Sequence, residues 1–275
     1  MPDNAVKFTD IPDNHWALGS IIWSQKFLSG YEDGTFRPKN KVSREEMVAF
    51  LHKYHDRLHI NLKANLVKNI KPSVVVVKNT YTDAQGVKRQ SIGTGTIINE
   101  DNQVLTNYHC IADDQNKRNG NIEIGVLQES RPNNTEQVTY YQGTFITGDS
   151  WIDQDVAVVQ IEENVNRPFM PILSQNLEEG DDVISYGHGG GYLYAVGSGV
   201  IAQDLQVVGG LFTFGQTDAT INAGNSGGLI SSIYNKAIAG IPTRKATQHD
   251  NINFYLPANR IIKFLDKREI KYHLA

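Results

Sequence analysis

Gly224-Asn225-Ser226-Gly227-Gly228-Leu229-Ile230 is the stretch on which the fold turns, because more than one backbone presents a serine between glycines in this way. A serine hydroxyl is a weak nucleophile; it needs an exposed position, a base, and N–H donors for a developing oxyanion. Glycines on either side let the chain turn sharply and bring amides up to a substrate carbonyl. The N–H groups of Gly224 and Ser226 are the candidate donors, in one loop with Asn225. Taken alone, the pentapeptide reads equally well as a turn between two strands.

The residues after the serine narrow the choice. Gly224 to Gly228 fits G-x-S-x-G, the nucleophile elbow of α/β-hydrolases, and His188-Gly189-Gly190-Gly191 imitates the oxyanion motif of esterases. That fold needs a helix after the serine, then the acid and the histidine. Here Leu229 and Ile230 lead to a turn at Asn235-Lys236 and another short strand, and only forty-nine residues remain. The esterase reading fails on architecture.

The order His…Asp…Ser is the alternative. Val104 to Cys110 places His109 just beyond an apolar strand, and Asp155 to Ile161 places Asp155 at the head of another. Singly, His109 reads as a packed strand-end histidine and Asp155 as a strand cap. In order with Ser226 they read as general base, orienting carboxylate and nucleophile. Asp153 is a weaker rival acid.

The surrounding pattern agrees with this order. Strand-like runs recur at Ser73–Lys78, Gly95–Ile98, Gln103–Thr106, Asn121–Val126, Gln137–Thr147, Asp155–Ile161, Asp182–Tyr186, Gly197–Ala202, Gln206–Phe214, Ala237–Ile241 and Ile252–Leu256. They predict an antiparallel barrel or sandwich, divided near residues 162–180 by a connector holding Pro168 and Pro171, with a last helix near Asn259–Lys267. The 275 residues allow one large and one small domain, and the net charge of −4 argues against a nucleic-acid partner. No run is long enough to span a membrane, and Met1-Pro2-Asp3-Asn4 lacks the basic, apolar start of a secretory signal. With one cysteine, Cys110, no intrachain disulfide is possible. Cys110 reads as a small buried residue.

These stretches resemble the Htr/Deg branch of the trypsin-like serine proteases. The resemblance rests on Lys71-Pro72-Ser73-Val74-Val75, Gly93-Thr94-Gly95-Thr96-Ile97-Ile98, Leu105-Thr106-Asn107-Tyr108-His109, Asp155-Val156-Ala157-Val158, Gln216 through Asn222 to Gly228, and Phe254-Tyr255-Leu256-Pro257. It implies a mainly β, chymotrypsin-like double β-barrel over 71–275, a polypeptide substrate, and no cofactor. It also implies a specificity pocket based on Thr220 with Ala239, Gly240 and Ile241 as its wall. No carboxylate stands there, so a small or medium apolar residue is expected before the scissile bond; glutamate, helped by Thr243 or Arg244, is the other reading. Asn225 cannot make the ion pair by which the digestive branch is activated, and the chain ends too soon for a PDZ module. In this family the oxyanion loop can rest in an inactive shape, and Gly224 is the residue to watch. The contrasting reading is a catalytically quiet, chaperone-like surface module that keeps the protease fold.

The first fifty-odd residues obey a different, helical period. Asn14 caps one expected helix that ends at a left-handed Gly30, an Asp33-Gly34 turn comes next, and Ser43 with Glu46 forms a capping box for a second helix carrying Met47, Leu51, Tyr54 and Leu58. Phe8-Thr9-Asp10-Ile11, Trp16-Ala17, Gly30-Tyr31, Gly34 to Pro38 and Val42 to Glu46 resemble an S-layer homology module. This small α-helical module (1–57), joined through 58–70, implies binding to cell-wall polysaccharide by Asp10, Trp16 and Arg44, and a secreted or wall-associated location. Such modules come in threes and Htr-like proteases form trimers, so a homotrimer is the implied assembly. His52, His55 and His59 share a helix face but lack a fourth ligand, and no metal site is expected.

Overall fold

The computed structural model describes residues 8–24, 30–128, 138–150, 154–188, 194–208, 212–245 and 251–275. The chain divides into two compact units, Met1–Leu62 and Lys63–Ala275.

Helix α1 (Leu18–Ser24) starts later than the sequence pattern predicts, the expected continuation over 25–29 lies outside the described residues, and α2 (Arg44–Ile70) runs as one helix past residue 57. Ser43 and Glu46 make the expected reciprocal cap: the Ser43 amide donates to the Glu46 carboxylate at 2.7 Å, and the Glu46 amide donates to the Ser43 hydroxyl at 3.0 Å. These bonds hold the Glu46 carboxyl below its ordinary range. Phe8, Ile11 and Ile21 form a small core on which Phe36 packs. Two expectations change. Gly30 is not in the left-handed region; a side chain there would overlap the Phe8 ring and the Thr35 carbonyl, so close approach explains the glycine. The apolar stripe of α2 is largely exposed at Met47 and Leu51.

The second unit holds two closed antiparallel barrels. The first contains β1 (Val74–Thr82), β2 (Lys88–Ile97), β3 (Gln103–Thr106), β4 (Asn121–Leu127), β5 (Val138–Asp149) and β6 (Val156–Ile161), in the order β1-β2-β3-β6-β5-β4. The second contains β7 (Asp182–Gly187), β8 (Ala195–Val208), β9 (Phe212–Thr217), β10 (Leu229–Ser232), β11 (Gly240–Lys245) and β12 (Asn253–Pro257), in the order β10-β11-β12-β9-β8-β7. Helix α3 (Ala258–Asp266) comes after β12.

Burial explains why the strongest runs are apolar without alternation. Along β1, Val75 and Val77 face the interior of the first barrel, whereas Val74 joins a second cluster; along β6, Ala157 and Val159 face inward, and Val156 and Val158 join that second cluster. It also contains Ile184, Tyr186, Leu229, Ile241 and Leu256 of the second barrel and Ile261, Phe264 and Leu265 of α3. Strands buried on both faces lose the polar half of their pattern. The seam between the barrels is therefore hydrophobic core.

The strand boundaries differ where polarity misleads. β10 was not among the expected strands. β8 continues through Gln203, Asp204 and Gln206 to Val208, with register shifts at those polar positions. The strand expected at Ala237–Ile241 lies at Gly240–Lys245.

Candidate active site

His109 lies in a single 3-10 turn, Tyr108–Cys110, just after β3, and Asp155 lies just before β6. β3 and β6 are antiparallel neighbours with Thr106 opposite Ala157, so the end of one strand meets the start of the other. The backbone of Asp155 is left-handed, with φ 57. It is held by its own amide, which donates to Ser150 O at 2.9 Å, and by Asn107 Nδ2, which donates to Asp155 O at 2.7 Å.

Both carboxylate oxygens of Asp155 serve His109: the His109 amide donates to Oδ1 at 3.0 Å, and His109 Nδ1 lies 2.8 Å from Oδ2. The Asp155 side chain is 1% exposed and the His109 ring 40%. A carboxylate on Nδ1 selects the tautomer protonated there and leaves Nε2 as the free base. Burial opposes a positive imidazole, but the adjoining Cys110 sulfur and the Asp155 carboxylate outweigh it, and His109 titrates well above its ordinary value.

Ser226 comes from the second barrel, in the loop before β10, and is partly buried. Its carbonyl is held from the first barrel by the Thr94 amide at 2.8 Å, and the Cys110 sulfur stands 3.5 Å from it. Cys110 is a buried free cysteine. Among the described residues no hydrogen bond joins Ser226 Oγ to His109, a bond that in unliganded sites is often long.

The loop's peptides are held in sequence. Thr94 Oγ1 donates to Gly224 O at 2.6 Å, the Asn225 amide donates to Asn222 O at 3.0 Å, the Gly228 amide to Asn225 O at 2.9 Å, and the Gly227 amide to Pro242 O at 3.3 Å. Gly224 and Gly227 are left-handed, with φ 98 and 79. Among the described residues the Gly224 and Ser226 amides have no hydrogen-bond partner, and neither does the Ala223 carbonyl. Of the three predicted oxyanion-loop residues, Asn225 therefore has its amide engaged; its side chain is 3% exposed.

Thr220, Ala239, Gly240 and Ile241, the expected pocket residues, stand in different surroundings. Thr220 is exposed, and its carbonyl accepts the Ser185 hydroxyl at 2.6 Å. Ala239 and Ile241 are packed in the barrel core, and at Gly240 a side chain would overlap the Tyr255 ring. β11 reaches the serine loop at Pro242, whose carbonyl accepts the Gly227 amide at 3.3 Å. Thr94, Asn107 and Pro242 were missed by sequence reasoning. Thr94 and Asn107 stand inside Gly93-Thr94-Gly95 and Asn107-Tyr108-His109, where a polar residue beside a glycine or two before the candidate histidine was the available signal.

His188 is buried, and its amide donates to Thr94 Oγ1 at 3.0 Å; Gly189–Gly191 and Asp153 lie outside the described residues. In the first unit, both Asp10 oxygens accept backbone amides, from Phe36 at 2.7 Å and Arg37 at 2.6 Å, which lower its titration. Asp10 thus braces a loop. Trp16 is 93% exposed, and Arg44 opens α2 on a shallow groove with Val48 and His52. A separate cavity of about 490 Å³ is lined by Tyr31, Phe36, Arg37, Lys41, Glu46 and Met47. Among the described residues no group of three His, Cys, Asp or Glu side chains is placed to hold a metal, and the His59 side chain lies outside them.

Two closed six-stranded barrels with the His–Asp pair on one and the serine loop on the other define the double-barrel class of trypsin-like peptidases. Residues 93–240, more than half of the chain, match the family model for the trypsin-like peptidase domain, and the chain belongs to that family. Residues 7–48 match the model for the S-layer homology domain. The chain is 30% identical to the Do-like 14 protease of Arabidopsis thaliana, across 90% of this chain and 57% of that protein. It is 27% identical to serine protease HTRA4 of Homo sapiens, across 76% of this chain and 42% of that protein. The crystal structure of the serine endoprotease from Yersinia pestis superposes with TM-score 0.57 at 27% identity, covering 74% of this chain and 65% of that one. The chain thus spans about half the length of the curated relatives it matches.

Proposed function

We propose that the chain is a serine endopeptidase in which Ser226 is the nucleophile, His109 the general base and Asp155 the orienting carboxylate. The observation that carries this reading is the two-point hold of Asp155 on His109, on the amide at 3.0 Å and on Nδ1 at 2.8 Å. Ser226 Oγ attacks the peptide carbonyl carbon, and its proton passes to His109 Nε2. The C–N bond then breaks, and His109 returns the proton to the leaving amine. Water, deprotonated by the same ring, hydrolyses the acyl-enzyme ester and regenerates Ser226. The free amides of Gly224 and Ser226 receive the oxyanion, a contribution of roughly 3–4 kcal/mol per donor. Pro242 to Arg244 flank the substrate; the expected preference is a small or medium apolar residue before the scissile bond.

The amino-terminal module is proposed to tether the enzyme to cell-wall polysaccharide, with Arg44 meeting an anionic sugar substituent. A homotrimer that brings three modules together is the proposed assembly, read by light scattering. A fluorophosphonate probe tests the chemistry: labelling and casein cleavage are expected in the natural chain and absent in Ser226→Ala. Labelling that persists in Ser226→Ala overturns the assignment, and ester turnover without proteolysis restores the esterase reading.

A further inference from the structure

We infer that Thr94 is a positioning residue of the oxyanion site, a hydroxyl of the first barrel that sets the peptide between the two donor amides of the second. The inference rests on the serine-peptidase reading. Thr94 lies on β2 and is fully buried. Its hydroxyl has one proton to give. The His188 amide, 3.0 Å away, can only donate to Oγ1, and the Gly224 carbonyl, 2.6 Å away, can only accept from it. The direction of both bonds is therefore fixed: His188 N–H to Thr94 Oγ1, and Thr94 O–H to Gly224 O.

The Gly224–Asn225 peptide is in this way held at both ends, by Thr94 Oγ1 on its carbonyl and by Asn222 O on its N–H at 3.0 Å. On its two sides stand the unengaged Gly224 and Ser226 amides. Thr94 also holds the Ser226 carbonyl through its own amide at 2.8 Å, so one residue fixes two carbonyls of the loop. Its own carbonyl accepts the Thr106 hydroxyl at 2.7 Å, which ties it to β3 and the His109 turn. The space is close: a side chain on Gly187 would come within 2.8 Å of Thr94 Oγ1. A residue that merely filled this space would need no hydroxyl. The fixed pair of bonds makes the hydroxyl, and not the methyl, the working part.

The test compares the full chain with Thr94→Val, which keeps the shape and removes the hydroxyl, and with Thr94→Ser, which keeps the hydroxyl and removes the methyl. Casein cleavage gives kcat and KM, and fluorophosphonate labelling gives the rate of attack by Ser226. Loss of a direct oxyanion donor lowers kcat by about 100–1000-fold, so loss of a group acting through the loop is expected to lower it by about 10–100-fold. KM should hold within about threefold, labelling should slow in parallel, and Thr94→Ser should recover to within about threefold of the natural chain. Thermal unfolding checks that each variant folds; should Thr94→Val not fold, Thr94→Ala, also lacking the hydroxyl, is read the same way. A folded Thr94→Val with undiminished kcat, or an equal loss in Thr94→Ser, overturns the inference alone. A natural chain that does not label at Ser226 overturns the peptidase reading and this inference with it.

Discussion

Asp155 combines a left-handed backbone at φ 57 with two carboxylate oxygens on one histidine. Only glycine, asparagine and aspartate adopt that backbone readily, so Asp155→Asn isolates the loss of charge from any change of shape. The expected result is a fall in kcat of about 10⁴-fold, because an amide at Oδ2 favours the wrong imidazole tautomer. The pH profile sharpens this. As the proposed general base, His109 has to be neutral to act; Cys110 and Asp155 raise its pKa, so kcat/KM is expected to climb through a value above the ordinary imidazole range. Asp155→Asn removes one cause of that rise and should move the climb to lower pH. The linked effect on stability has the opposite course. The pairing favours the imidazolium, so its stabilisation is complete below the unfolded imidazole pKa and fades as pH rises through the folded one. At this scale the sequence was most informative, since His109, Asp155 and Ser226 each stand next to a recognisable strand or glycine turn. Thr94 and Pro242 were not legible, because their roles depend on which loop of the other barrel faces them.

At the scale of elements, the serine loop depends on where β2 and β3 pass. At Gly227, with φ 79, a side chain would overlap the Thr94 carbonyl and the Thr106 hydroxyl. Gly227→Ala combines that overlap with a backbone cost of about 1–2 kcal/mol. It should abolish fluorophosphonate labelling while the circular dichroism of the barrels persists. The helical cap was legible because Ser43 and Glu46 carry the whole interaction in four residues. The extent of β8 was not, since its polar middle residues are accommodated by register shifts that only pairing with β9 reveals. β10 was obscured for a related reason: four residues after a glycine loop show no period, and its identity as a strand comes from pairing with β7.

In the second unit as a whole, residues 271–275 bind distant parts together. Ile172 N–H donates to His273 O at 2.8 Å, Ala275 N–H to Ile172 O at 2.9 Å, the Ser174 hydroxyl to Ala275 O at 3.0 Å, and Asn99 Nδ2 to Lys271 O at 2.9 Å. His273 Nε2 also meets Glu100 at 2.8 Å. Removing residues 271–275 breaks these four hydrogen bonds, worth about 0.5–1.5 kcal/mol each, together with the His273–Glu100 contact and the Tyr272 hydroxyl bond to Asp266. A fall in Tm on the order of 10 °C is expected in thermal unfolding. This tie joins the inter-barrel connector to the turn between β2 and β3, and no local pattern in the sequence announces it. The apolar runs at Val74–Val77 and Val156–Val159 made a barrel or sandwich legible, while the double barrel came from the family resemblance; the seam, apolar on both strand faces, explains why those runs lack alternation.

One peptide of the serine loop stands apart from its neighbours. The Gly224–Asn225, Asn225–Ser226 and Ser226–Gly227 units are each fastened by a partner, whereas the Ala223 carbonyl and the Gly224 amide have none among the described residues. On the proposed assignment, rotation of that single unit would exchange an N–H for a carbonyl at the oxyanion position without breaking a hydrogen bond described for the loop. Under the serine-peptidase reading, competence is then expected to be a separate equilibrium from folding, which a ligand that accepts from Gly224 shifts by its differential affinity for the two states. A preparation can be fully native and still contain fewer working sites than molecules, so the count of active sites, and not the concentration of protein, is the proper denominator for its turnover.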